Sequence, residues 1–211
     1  MPHVILLGDS IFDNAAYTGS GPDVISQVRK ALPSGWTASL LAVDGAITTD
    51  VASQLERLPA DATDLVLSIG GNDALEQEGV LNIAVSTTAH ALGVIGELVG
   101  EFEKSYRSTV ESCLQSGLPL TVCTIYNGCM PDPEYQRVVT TVLAVFNDAI
   151  LRVAVEHGLN VIDLRAICVN PEDYANPIEP SSVGGEKIAR VIVALVTGST
   201  ARSGATRIVV K

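Results

Sequence analysis

Three short stretches of the sequence carry residue types that could do chemistry together. Gly8-Asp9-Ser10 follows the apolar run Val4–Leu7, so a strand would deliver a serine into a loop. An exposed serine is a candidate nucleophile, but it needs a base to take its proton and donors to hold the oxyanion it creates. The stretch "VDGAITT" places Gly45 at a turn, where a backbone N–H could serve such an oxyanion. The stretch "SIGGNDAL" places the side-chain amide of Asn72 after two glycines, a second candidate donor. Asp9 beside Ser10 and Asp73 beside Asn72 are candidate supporting carboxylates, and Asp73 is expected to cap a following helix. Each stretch also has an ordinary explanation. A serine caps turns, a loop glycine accommodates positive φ, and Asn-Asp favours an Asx turn.

The elements that would position these loops follow from the apolar pattern. Strands are expected at His3–Gly8, Thr37–Val43, Leu65–Gly70, Leu120–Ile125 and Asn160–Leu164. Several are apolar throughout, as strands buried on both faces must be. Between them lie helical segments at Asp23–Leu32, Thr49–Leu58, Ala89–Ser116, Glu134–His157 and Ser182–Val196, bounded by Pro, Gly and Thr. Such alternation specifies an α/β fold, a parallel five-stranded sheet between two helical layers. In that architecture ligands collect at the carboxyl ends of the strands, where all three stretches fall. One domain is expected over residues 1–200, followed by a tail at 201–211 that frays or adds an edge strand. The segments Ala74–Ala89 and Tyr126–Glu134 would set the pocket size, with Tyr126 and Met130 as candidate walls.

Taken together, the three stretches make the chain resemble the SGNH (GDSL-type) hydrolases over nearly its whole length. Gly8-Asp9-Ser10 is similar to that family's nucleophile block, Gly45 to its oxyanion glycine, and Gly70-Gly71-Asn72-Asp73 to its oxyanion asparagine block. The resemblance implies a flavodoxin-like α/β/α sandwich and hydrolysis of esters or other acyl groups, with the N–H groups of Ser10 and Gly45 and the amide of Asn72 as the oxyanion hole. The last block departs from the family pattern. "NPIEPSSVGGEKIA" keeps Pro180, Ser181 and Gly184 in register, but Asn176 and Glu179 stand where the family has aspartate and histidine.

The base must therefore come from elsewhere or be Glu179 itself. His3 begins the first strand, roughly 20 Å of extended chain from Ser10, and reads as structural. His157 ends a helix, where imidazolium favours the dipole. His90 lies beyond the third loop and could fold over the site. Glu179 can act as a base if burial raises its pKa, while the N-terminus of the following helix would lower it. A glutamate base needs no orienting aspartate, which makes Asn176 coherent with Glu179. Glu172 and Asp173 on the same loop are alternative carboxylates.

The bulk properties narrow the class. Of 211 residues, 47% are hydrophobic and the formal net charge is −11, which indicates a globular protein that repels nucleic acid and anionic membranes. The four cysteines, Cys113, Cys123, Cys129 and Cys168, form no CxxC pair and read as free thiols, with no metal site. No basic leader, cleavage site or membrane span is expected, and the default compartment is cytoplasmic. No cofactor is expected. The leading expectation is a serine esterase for small neutral or cationic esters, of unassigned oligomeric state. The alternatives are an SGNH-fold binding protein that has lost efficient catalysis and a flavin or nucleotide binder. The first loop lacks a GxGxxG for phosphate, which counts against the last.

Overall fold

The computed structural model describes residues 1–198, so the tail expected at 201–211 lies outside the described residues. Five strands form the sheet: β1 (His3–Gly8), β2 (Thr37–Leu40), β3 (Asp64–Ser68), β4 (Leu120–Cys123) and β5 (Asn160–Ile162). They pair in the order β2-β1-β3-β4-β5, every pair parallel. Six α-helices connect or extend them: α1 (Val24–Ala31), α2 (Val51–Leu55), α3 (Gly71–Glu76), α4 (Thr88–Leu114), α5 (Pro133–Glu156) and α6 (Ser182–Val196).

The two-residue period of β1 builds both sides of the core at once. Ile5 and Leu7 join Leu65, Leu67 and Val122 in one apolar cluster, covered by α4 and α5. Val4 and Leu6 join Val66, Cys123 and Ile162 in the other, covered by α1 and α6. Every residue of β1 is buried, which is why this strand reads as an unbroken apolar run.

Local chemistry sets the helix ends. Asp23 accepts from the N–H of Ser26, Thr87 from His90, and Ser181 from Val183 and Gly184. Each side chain thereby satisfies backbone donors that a helix start leaves without partners. By length and composition α5 could cross a membrane. Here it packs on the sheet and against α4 through Phe146, Ala149, Ile150 and Val153.

Several elements are shorter than their sequence pattern. β2 ends at Leu40, because the N–H groups of Leu41 and Ala42 both turn to the carbonyl of Leu6. The expected helix at Thr49–Leu58 divides into a 3-10 turn at Thr48–Asp50 and the short α2. Ala74–Ala89 contains the end of α3 and a 3-10 turn at Glu78–Asn82.

The exit of β1 is the tightest point in the sheet. Gly8 has φ of 124°, and a Cβ there would lie 1.7 Å from the carbonyl oxygen of Ser68 on β3. The side chain of Gln54, fully enclosed, spans the same residue: its amide donates to the Gly8 carbonyl and its oxygen accepts the Gly8 N–H, both at 2.8 Å. Gly8→Ala is therefore expected to cost about 3 kcal/mol or more, because strained φ and a backbone clash add. A urea titration followed by circular dichroism measures it; a loss within about 0.5 kcal/mol would show that the turn can relax.

Candidate active site

The loops after β1 and β3 and the loop before α6 converge on one cavity. Ser10 follows the Gly8 exit and is 6% exposed. Its Oγ donates to Oε1 of Glu179 at 3.1 Å, across 169 residues of chain. Asn72 is in the first turn of α3, started by Gly70 at φ 116°, and lines the same cavity as Ser10, Asp9 and Glu179. One hydrogen of the Asn72 amide is given to the carbonyl of Ala46 at 2.9 Å. An amide NH₂ has two, so the second remains for a ligand oxygen.

Two expected members are placed differently. Gly45 has φ of 79° and is exposed at its turn; it is not among the residues that line the cavity with Ser10. It precedes Ala46, whose carbonyl anchors Asn72, so the second loop reaches the site through that carbonyl. Asp73 does not cap a helix from outside, because α3 already begins at Gly71. Its carboxylate instead accepts the N–H and the hydroxyl of Thr48, the latter at 2.6 Å. Asp73 thus joins the second and third loops, a role that only the approach of the two loops in space could reveal.

The loop carrying Glu179 is pinned on both sides. Oδ1 of Asn176 accepts the N–H groups of Ile178 and Glu179, each at 2.9 Å. Asn176 therefore shapes the backbone and makes no contact with the Glu179 carboxylate. Tyr126 donates to the carbonyl of Ile178, and the N–H of Cys129 donates to that of Pro177 at 2.8 Å. Asp173 is fully buried and paired with Lys187, which removes it as a substitute base. The Tyr126 contact had no signal beyond a candidate wall in the sequence; both Tyr126 and Met130 do line the cavity.

Burial dominates the electrostatics. Glu179 is 6% exposed, and its Oε2 is enclosed without a hydrogen-bond partner. Desolvation raises its pKa from 4.5 to about 7, opposed by the Ser10 hydrogen bond and reinforced by the negative charge of Asp44. The competing pull of the α6 N-terminus does not prevail; its first free N–H groups are taken by Ser181. Asp9 is fully enclosed, and desolvation lifts its carboxyl from 3.8 to about 8, despite the hydrogen bond that Oδ1 accepts from the N–H of Ile11.

None of the three histidines stands at the site. His90 is exposed on the first turn of α4, and His157 ends α5. His3 makes a serine–histidine–aspartate chain of its own, with Nε2 at 2.8 Å from Ser39 Oγ and Nδ1 at 3.0 Å from Asp61. Ser39 is paired inside β2, and His3 opens β1 at the opposite end of the sheet, so the contact fastens an edge strand.

Residues 6–184 match the GDSL-like lipase/acylhydrolase family. The chain belongs to this family. No curated protein sequence is matched. Among solved structures, GDSL-family folds superpose over nearly the whole chain. An extracellular lipase from Streptomyces rimosus aligns at a TM-score of 0.66 and 15% identity, over 95% of this chain and 100% of that one. A lipase/acylhydrolase from Enterococcus faecalis aligns at 0.63 and 20% identity, over 94% and 97%. Est24, a carbohydrate acetylesterase from Sinorhizobium meliloti, aligns at 0.61 and 13% identity, over 94% and 100%. At these identities the likeness establishes the shared GDSL α/β fold.

The raised carboxyls of this family member make a prediction about stability. The folded state holds protons on Asp9 up to about pH 8 and on Glu179 up to about pH 7, where the unfolded chain has released them above pH 4 to 5. Their contribution to stability is thus complete at acidic pH and is lost as pH rises through that window. Asp9→Asn keeps an acceptor for Ile11 and removes the larger of the two effects. Urea midpoints at pH 5 and pH 8 should fall further apart for the unmodified protein than for Asp9→Asn; equal slopes would show that Asp9 is ionised in the fold.

Proposed function

We propose that this GDSL-family chain is a serine acyl hydrolase in which Glu179 takes the part of the missing histidine. The observation that carries the reading is the hydrogen bond from Ser10 Oγ to Glu179 Oε1 at 3.1 Å, within the range for nucleophile and base. A carboxyl raised to about 7 is half ionised near neutrality, so it can both accept and return a proton there.

In this cycle Ser10 Oγ attacks the acyl carbonyl while its proton passes to Glu179. The tetrahedral oxyanion is held by the free hydrogen of the Asn72 amide and by the Ser10 N–H. Glu179 then returns the proton to the departing alkoxide, leaving an acyl-serine. A water enters, loses its proton to Glu179 and attacks the acyl carbon; collapse releases the carboxylic acid and restores Ser10. Once acylated, Ser10 no longer donates to Oε1 of Glu179, and that oxygen is free to receive the water.

The substrate is a neutral or cationic ester. Glu179 is half ionised near neutrality and Asp44 adds negative charge to its surroundings, so an anionic substrate meets repulsion. A second reading, a binding protein with residual chemistry, is favoured by one observation: no side chain orients the Glu179 carboxylate on its Oε2 side. A serine-directed phosphonate distinguishes them, since it labels Ser10 in the enzyme and leaves the binder unmodified.

The test is hydrolysis of p-nitrophenyl butyrate from pH 4 to pH 9. The rate is expected to rise with pH through about 7, as Glu179 loses its proton. Ser10→Ala should abolish turnover, and Glu179→Gln should lower kcat by about 100-fold or more. A Glu179→Gln variant with the parent rate and profile would place the base elsewhere.

A further inference from the structure

The cavity that begins at Ser10 continues well past the groups the chemistry uses. Beyond Asn72 it runs between α4 and α5, with α3 and the following 3-10 turn as its roof. Val139, Val142 and Phe146 form one wall on α5, Ile95 and Leu98 face them from α4, and Leu81 closes the roof. The second and third α5 positions lie three and seven residues from the first, so they share one face of the helix. Phe146 closes the floor; it is buried and packs against Phe102 with ring centroids 4.9 Å apart and planes tilted by 47°. Away from Ser10, the polar groups Tyr135 and Glu78 at the rim hydrogen-bond to each other. Apart from these two and Gln77 at the end of α3, the lining of that half is apolar.

We infer that this half of the cavity is an acyl-chain site, selecting an unbranched saturated acyl group of about six carbons, with Val142 and Leu98 setting the length. The inference rests on the proposed hydrolysis at Ser10 for its chemistry, but not for its binding. The whole cavity, its catalytic end included, is about 140 Å³. A dry apolar cavity of about 150 Å³ holds one benzene, so the space from Ser10 inward accommodates roughly six carbon atoms, the carbonyl carbon at Ser10 among them. An acetyl group would leave most of the apolar wall unfilled. A hexadecanoyl chain would have to displace the Phe146 floor or emerge through the roof. A sugar-like or hydroxylated acyl group would bury hydroxyls with no partner, at about 1–3 kcal/mol each.

The experiment is a chain-length series of p-nitrophenyl acetate, butyrate, hexanoate, octanoate and palmitate. The kcat/KM is expected to peak at hexanoate, about tenfold or more above acetate. A maximum at acetate or palmitate, or a flat series, would overturn the inference. Val142→Phe should move the peak to shorter chains and Val142→Ala to longer ones. Opposite shifts cannot arise from misfolding, and equal losses on every ester in both variants would refute Val142 as a length gauge. Calorimetric titration of Ser10→Ala with ethyl hexanoate and ethyl acetate separates binding from chemistry. Tighter hexanoate binding supports the acyl site even if the parent protein turns over no ester, in which case the hydrolase reading alone fails. Equal affinity for the two esters overturns the acyl site whatever the kinetics show.

Discussion

A single enclosed contact, between a serine hydroxyl and a glutamate carboxylate, sets the demands that the rest of the structure meets. A carboxylate is costly to remove from water, and Glu179 is nearly fully enclosed with only one of its oxygens satisfied. It is tolerated because its pKa rises to about 7, so the proton offsets the charge when nothing else does. For the contact to form at all, Ser10 must be lifted out of β1 and Glu179 carried in from a distant loop. The Gly8 bend does the first, held by Gln54 and pressed on Ser68. Asn176, Tyr126 and Cys129 do the second, by fixing the backbone at Pro177–Glu179.

The same economy accounts for the order of the loop that carries Asn176 and Glu179. A histidine base needs a partner to set its tautomer and stabilise its cation. A carboxylate needs neither, and Asn176 is left for another use. Asn176 is used for backbone capping, two N–H groups on one oxygen, which an exposed loop requires more than a second buried charge. Lys187 and the buried Asp173 complete the loop with an ion pair at its base.

On the other side of Ser10 the site is governed by packing. Two long helices, α4 and α5, lie on the sheet and diverge enough near its carboxyl edge to leave apolar walls facing each other. The groups around Ser10 are concentrated at one end of the cavity, and the walls at the other are mostly apolar.

By itself the sequence determined the parallel α/β layout, because strands buried on both faces must be apolar throughout and helices must not. It also determined which loops could meet, since nucleophile, glycine and amide all follow strands and so share one edge of the sheet. Glu179 was legible as a candidate base. Its pKa was not, because burial and the α6 N-terminus push in opposite directions, and only the packed loop shows that burial prevails. Nor were the roles of Asp73 and Asn176, whose partners Thr48 and the Ile178–Glu179 backbone are set by approach and turn geometry. Gly45 shows the converse: its type and place suit an oxyanion donor, yet the fold exposes it and turns the next carbonyl to Asn72. Periodicity reports which face of an element is buried. The distance between two loops, and the dielectric around one carboxylate, exist only once the helices have closed over the sheet.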